Sequence, residues 1–391
     1  MHKQSWHIQR LLALSILSIS AQAHADLSNT FSPYVAVNYG YNSNLFLLQN
    51  DQAALTNLGT TNMSESFQIY SSGVNMKWQL GRQLISGRAE VNKVNFDTYK
   101  TLDYDGHDLA LKWDWLIDSI LQGDVGISDK LVLAPFLYTK KPLANLLNTR
   151  KIFANGNVKL NNRWQIKLGA EKIQYTNSDI TQQNNDIDID TYKTGLRYLT
   201  PKGSKLDFNS SVSNGNYTQQ PTTQNSYTQY DNGIGFDWAA TGKTKVTGKI
   251  NYTKRDYPNA QQQNYAGITG RIAADWLATG KTTLNLALYR EINSYITNTS
   301  SYNETLGISG RATWLATAKT AVNLTATHEQ IDFLDTPHRL DELTTLGLGM
   351  SYNLLRNTKL DILAERGIRN SNTIGNSYRY NSLMLGINHA F

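Results

Sequence analysis

"DWLATGKTTLNL", residues 275–286, stands between two alternating segments, and its reading decides how the chain folds. Before it, Ile268, Gly270, Ile272, Ala274 and Trp276 share one parity, with Thr269, Arg271, Ala273 and Asp275 on the other. After it, Leu284, Leu286 and Leu288 alternate with Asn285, Ala287 and Tyr289. Period-two alternation marks a strand with one apolar and one polar face. The Thr-Gly-Lys phrase is then a tight hairpin turn, with glycine expected to supply a positive φ.

The phrase recurs as "DWAATGKTKVTG" (237–248) and "TWLATAKTAVNL" (313–324), which spaces Trp238, Trp276 and Trp314 by 38 residues. A-T-G-K-T resembles the second half of a phosphate-cradling loop. That loop needs a glycine five residues before its Gly-Lys pair, so that backbone N–H groups converge on phosphate. Asp237 and Asp275 hold that place here, and Ala318 replaces the second glycine in the third copy. The phrase is punctuation in a repeated structure, not a nucleotide site.

Further short turns are legible at 79–84, 113–121, 159–165, 198–206 and 353–360. Between them run longer polar connections such as "YTNSDITQQNNDIDID" and "FLDTPHRLDE". Short and long connections alternate, giving nine hairpins and hence about 18 strands (16–18). The first 25 residues have Lys3 and Arg10 ahead of an apolar run and Ala23-His24-Ala25 at the end, the form of a signal peptide. Residues 26–391 are then expected to form one domain.

Composition narrows the class. The chain has no cysteine, 22 Tyr, 8 Trp, 27 Gly and only 7 Pro, so a secreted chain of this length must be held by backbone pairing or a large core. With 37 basic and 31 acidic side chains and no long block of one sign, a nucleic-acid partner has no support. Alternating turn lengths, strand-end aromatics and a leader together describe an all-β fold: a transmembrane antiparallel β-barrel of the bacterial outer membrane, with short periplasmic turns and longer extracellular loops. Tyr302 and Trp314 share a parity and would stand ~28 Å apart after a ~45° strand tilt, enough to separate two aromatic girdles. Trp238, Trp276 and Trp314, just before short turns, are expected to face lipid at the periplasmic rim, with Tyr302 in the opposite girdle.

Neither a His-Glu-x-x-His metal motif nor a Cys nucleophile is present, so no catalytic or cofactor site is expected. "DIDID" (186–190) resembles the start of a calcium loop, but lacks the glycine and closing glutamate; Asp186, Asp188 and Asp190 are expected as a solvated rim on the lumen side. With the Trp and Leu parity on lipid, Arg197, Lys249, Arg271 and Arg311 line the pore, because a cation facing lipid at the midplane costs ~2–4 kcal/mol. Lys167 and Arg255 follow, as do Glu171, Glu291, Glu329, Asp361 and Glu365. An excess of bases on one wall would make a track for acidic sugars, with Tyr289 stacking on sugar rings. The segment 47–65 could fold inward and narrow the pore. Phe391 ends an alternating last strand with Leu383, Leu385 and Ile387 on its parity, although His389 stands where an apolar residue is usual. This ending resembles the signal read by the bacterial barrel-assembly machinery, an expected partner alongside outer-membrane lipid.

Two phrases carry a family resemblance. "YNSNLFLL" (41–48) resembles the Tyr-Asp-x-Asn-Leu-Phe-Arg-Leu phrase of a family of β-barrel porins, with Asn42 and Leu47 in place of Asp and Arg. "GLRYLTPKGSKL" (195–206) resembles a turn in its exopolysaccharide branch, the exosortase-B-associated EpsL transporters. The resemblance implies passage of an exopolysaccharide across the outer membrane, with a polysaccharide substrate and periplasmic export partners. A general diffusion porin and a non-conducting scaffold barrel are the alternatives.

Overall fold

Alternation becomes register in the computed structural model, which describes residues 30–137, 139–219, 225–294, 302–333 and 338–391. The leader segment 1–25 lies outside the described residues. The first hairpins are built from β1 (Phe31–Asn42), β2 (Glu65–Leu80), β3 (Gln83–Phe96), β4 (Tyr104–Ile117), β5 (Leu121–Leu133) and β6 (Leu146–Lys159). The middle of the sheet comprises β7 (Trp164–Asn177), β8 (Ile187–Leu199), β9 (Lys205–Tyr217), β10 (Tyr227–Ala239), β11 (Thr244–Asp256) and β12 (Tyr265–Leu277). It continues through β13 (Thr282–Ser294), β14 (Tyr302–Leu315), β15 (Thr320–Phe333), β16 (Arg339–Leu355), β17 (Thr358–Ser371) and β18 (Tyr378–Ala390). Neighbours in sequence pair antiparallel, and β1 pairs with both β2 and β18, so the 18 strands close into a barrel. At the closing seam the Phe391 N–H donates to the Pro33 carbonyl at 2.9 Å. Closure satisfies every strand edge, which a sheet without water on its outer face requires.

The two faces of each strand differ as the alternation dictates. On β13, Leu286 and Leu288 are about half exposed on the outside, while Ala287 and Tyr289 are buried inside. Apolar outward side chains begin at the short-turn rim with Trp238, Trp276 and Trp314, each about half exposed. Toward the long-loop rim the outward positions turn charged: Asp129 and Arg150, Lys172 with Asp188 and Asp190, Arg290 with Glu304.

The repeated turn departs from expectation. Gly242 and Gly280 do not have positive φ; among the described residues the glycines that do are Gly59, Gly81, Gly203 and Gly375. Threonines close the turn instead. Thr241 and Thr244 exchange backbone hydrogen bonds of 3.1 and 3.4 Å, and the Thr241 hydroxyl accepts from Lys243 N–H at 3.1 Å. The same set recurs at Thr279/Thr282 and Thr317/Thr320. A turn without positive φ accepts most residues, so Ala318 fits where the other copies have glycine.

Segment 43–64 folds inward, carrying the single α-helix of the described residues, α1 (Asp51–Leu58). Asn50 caps the helix by accepting from Ala53 N–H at 3.0 Å, and Gly59 ends it in the left-handed region at φ 72. Leu45, Phe46, Leu48 and Ala54 pack on the inward side chains Phe67, Val94 and Phe96 and on Phe136 of the β5–β6 connection. Phe46 meets the Tyr99 ring edge-on at 4.8 Å and the Phe136 ring at 4.7 Å. A second apolar cluster, Tyr217, Tyr227, Tyr257, Tyr265 and Tyr302 among others, fills the long-loop end of the opposite half.

Candidate functional site

Because strands tilt in a barrel, a row of directly paired residues climbs as it passes from strand to strand. One such row of inward side chains runs from Arg197 (β8) to Asp207 (β9), Gly235 (β10), Lys249 (β11) and Arg271 (β12). It continues to Tyr289 (β13), Gly307 (β14), Glu329 (β15), Leu343 (β16), Arg369 (β17) and Tyr378 (β18). Arg197 lies near the short-turn end of its strand and Tyr378 opens β18 at the long-loop end, so the row is a ramp through the lumen. The row beneath it is a trough of small side chains: Ala273, Ala287, Ser309, Thr327, Thr345 and Gly367.

The lower ramp is basic. Arg197 binds Asp207 in the two-pronged manner, Nε to Oδ1 at 2.7 Å and Nη2 to Oδ2 at 2.8 Å, and Lys167 Nζ reaches the same carboxylate at 2.9 Å. The arrangement of one acid between two cations recurs above and below it. Glu171 lies between Lys151 (2.8 Å) and Lys193 (3.1 Å), and Asp237 between Lys245 (3.1 Å) and Lys205 (3.9 Å). Each triad leaves one positive charge in excess, all on the wall from β6 to β11. Lys249 adds to that excess and stands side by side in register with Arg271 of β12, whose charge Glu291 offsets. Arg271 also holds its guanidinium 4.8 Å from the Tyr289 ring and 4.0 Å from Glu291.

The facing wall is built differently. Tyr289 lies across Gly307, and its hydroxyl donates to Glu329 at 2.5 Å. A side-chain carbon at Gly307 would come within 2.3 Å of that ring, so only glycine lets it pass. Tyr34 crosses Gly73 to reach Glu90 in the same manner, and Tyr380 crosses Gly367 and donates to Glu365 at 2.7 Å. These trusses span neighbouring strands and hold the carboxylates against the wall. Tyr289 is thereby committed to the wall and offers no face to a sugar ring, contrary to the stacking role expected of it.

At the mouth, Asp341 is fully buried between Arg339, which donates from Nη2 at 2.6 Å, and Arg369, which donates from Nε at 2.7 Å. Lys140 of the β5–β6 connection reaches this side, donating to the Gly375 carbonyl and to Asn376 Oδ1 at 3.1 Å. Burial, with Arg339 and Arg369 nearby, lowers the Lys140 ammonium to about 8. Gln49 accepts from Gly375 N–H at 2.8 Å, which ties the inward segment to the β17–β18 connection that Lys140 also reaches.

The other anticipated residues distribute as follows. Arg311 faces inward one row below the trough, paired across the ladder with Asn285 and Thr325. Arg255 faces inward but is closed in a tyrosine cage, 4.1 Å from the Tyr227 ring and 5.9 Å from the Tyr302 ring, with its Nε on Gln229 at 2.8 Å. Lys359 pairs with Asp361 at 3.0 Å. Tyr302 does not join an outer girdle: it is 2% exposed, stacked on Tyr257 at 5.9 Å inside the mouth. The chain turns in at the start of β14, which breaks the parity there. Asp188 and Asp190 also lie opposite to expectation, on the outside, where both pair with Lys172, at 3.1 and 3.6 Å. Asp186 is buried and accepts from Asn177 N–H at 2.7 Å, and burial raises its carboxyl. Phe391 is exposed at the short-turn rim, edge-on to His389 at 5.0 Å. Sequence reasoning passed over Lys151, Lys193, Lys205 and Lys245, although all four sit on the inward parity.

A family model described as "Putative beta-barrel porin 2" matches residues 153–391. No curated protein matches the sequence. Among solved structures, the chain resembles Pseudomonas aeruginosa OpdK with vanillate at 10% identity and TM-score 0.52, covering 92% of this chain and 99% of that one. P. aeruginosa OccK2 (OpdF) in complex with glucuronate is similar at 10% identity and TM-score 0.52, covering 92% and 98%. A BenF-like porin from Pseudomonas fluorescens Pf-5 follows at 9% identity and TM-score 0.51, covering 92% and 99%. At such identities the likeness speaks for the fold alone.

Proposed function

The chain belongs to this β-barrel porin family, and from that premise we propose that it is an outer-membrane channel for acidic saccharides, which move along the basic ramp. The observation that carries the reading is the single climbing row that carries Arg197, Lys249 and Arg271 in turn and leads, at Arg271, onto the trough of small side chains. A carboxylate passing from one cation to the next keeps a partner throughout, which permits entry without trapping. The acid inside each triad limits the binding strength, because each cation is already partly compensated. Glucuronate in the OccK2 structure is a sugar acid of this class, bound in that protein. Passage of an exopolysaccharide with acidic units is the extended form of the reading. It draws on the likeness of residues 41–48 and 195–206 to exopolysaccharide-associated barrels.

Planar-bilayer recording tests the channel. Wild-type protein should prefer anions, and glucuronate should interrupt the current where glucose does not. The combined change Arg197→Glu, Lys249→Glu and Arg271→Glu should move selectivity toward cations. Unmoved selectivity, or no conductance in the wild type, would refute the track. Deleting the gene and measuring surface polysaccharide separates polymer from small solute: unchanged polymer leaves a small-solute channel.

A further inference from the structure

On the outside of the barrel, most cations near the long-loop rim have a carboxylate partner. Arg150 has Asp129 at 2.7 Å, Lys172 has Asp188 at 3.1 Å, Lys254 has Asp256 at 2.8 Å and Arg290 has Glu304 at 2.9 Å. One sector breaks this rule. Arg366 on β17 and Arg379 on β18 both face outward and are exposed, and neither has an ion pair or side-chain hydrogen bond among the described residues. Arg366 pairs in register with Asn381, and Arg379 with Ile368, so the two guanidiniums are diagonal neighbours. Diagonal positions on one face have Cβ atoms within ~7–8 Å, so two arginines placed there have their guanidiniums within reach of one another, and like charges so placed repel. The closest outward carboxylate in register, Glu342, stands higher on β16, opposite Asn370.

The surroundings are specific as well. The next strands present Tyr39, Tyr41 and Tyr70 outward, each about 40% exposed. Tyr70 borders a shallow groove of ≈ 520 Å³ that also takes in Val91, Lys93 and His107. Directly below the arginines the apolar surface continues through Leu346, Ile362 and Leu383. Arg366 stands roughly 19 Å above Thr358 along the barrel axis, taking ~3.4 Å per residue and a ~45° tilt. That is a few ångströms below the top of an apolar band ~25 Å tall, from which a side chain as long as arginine reaches the lipid headgroups.

We propose that this sector, from β17 across the closing seam to β2, binds a phosphorylated glycolipid of the outer leaflet. Arg366 and Arg379 grip a phosphate between them, which removes their mutual repulsion. Arginine suits this role through its planar fork of donors. The exposed tyrosines lie against the sugar rings, and the acyl chains run down the apolar surface below. A protein partner is disfavoured because the patch is continuous with the surface that faces lipid.

The test uses the full chain purified in detergent and titrated with diphosphorylated lipid A, with bound lipid counted by native mass spectrometry. Arg366→Gln with Arg379→Gln should weaken binding about tenfold, equivalent to losing one charge-assisted contact. Removing the phosphates from the lipid should weaken wild-type binding about as much and leave the variant little changed. Folding of each variant is checked by its heat-modifiable electrophoretic mobility. The proposal fails if the double variant binds like the wild type, or if dephosphorylation has no effect. It fails too if Arg150→Gln, on another sector, weakens binding equally, or if the variant instead abolishes a dimer, which would assign the patch to a second copy of the chain.

Discussion

The Tyr289 hydroxyl reaches Glu329 across two strand boundaries, and Gly307 between them is what makes the 2.5 Å bond possible. Gly307→Ala should force the ring away and break the truss. The expected cost is about 1–3 kcal/mol, typical of overpacking a filled site. Gly310→Ala, whose added carbon would meet nothing closer than 4.0 Å, should be nearly neutral. The midpoint of heat-modifiable unfolding on electrophoresis measures both.

Asp207 compensates Lys167 and Arg197 at once. Asp207→Asn should leave both cations uncompensated at the bottom of the ramp and increase anion preference, opposite in sign to charge reversal of the arginines. Reversal potentials across a salt gradient report it. A shift toward cations would show that the triads do not set selectivity.

Lys140 predicts a pH effect at the mouth. Its ammonium titrates at about 8 when docked, against the 10.5 of a free lysine. Between those values the undocked state holds the extra proton, so docking is favoured as pH rises from about 8 to 10.5 and is penalised in full below 8. The β5–β6 connection should therefore exchange amide hydrogens more slowly at pH 10 than at pH 7, after correction for intrinsic rates. Lys140→Met should abolish that difference. An unchanged pH response in the variant would place its origin elsewhere.

Trp238, Trp276 and Trp314 sit at one level of the outer surface, before the short turns. Single-tryptophan versions, reconstituted with lipids brominated at defined depths, should all be quenched most by bromines near the headgroup. Quenching strongest at the bilayer centre would contradict interfacial anchoring.

Phe391 joins the seam through one backbone hydrogen bond and leaves its ring exposed. Phe391→Ser should leave the finished barrel's stability within about 0.5 kcal/mol, as at other surface positions, yet slow its appearance in the outer membrane. Equal rates of assembly would show that the ring is not read as a signal.

The barrel was legible because period-two alternation and turn spacing are local, and both survive in side chains such as Leu284, Leu286 and Leu288. Pore-facing cations followed from the same parity. What escaped depends on pairs far apart in sequence. The truss from Tyr34 to Glu90 needs the register of three strands, and the ramp needs that of eleven. Parity fails where a strand begins at Tyr302, which turns inward with the loop, whereas Asp188 and Asp190 obey it: the alternation that sends Arg197 inward sends them to the outward face of β8. The Thr-Gly-Lys turn misled because glycine suggests positive φ, whereas threonine hydroxyls had already capped the backbone.

Unlike walls face one another in this lumen. Three triads with surplus positive charge lie around β8, and the tyrosine-held carboxylates of Glu329 on β15 and Glu365 on β17 lie about half a turn away in the ring, below the Arg339–Asp341–Arg369 cluster at the mouth. A molecule in transit therefore feels a sideways electric field as well as a net attraction. Its own dipole will align across the channel, so two isomers with equal net charge but different charge separation should pass at different rates.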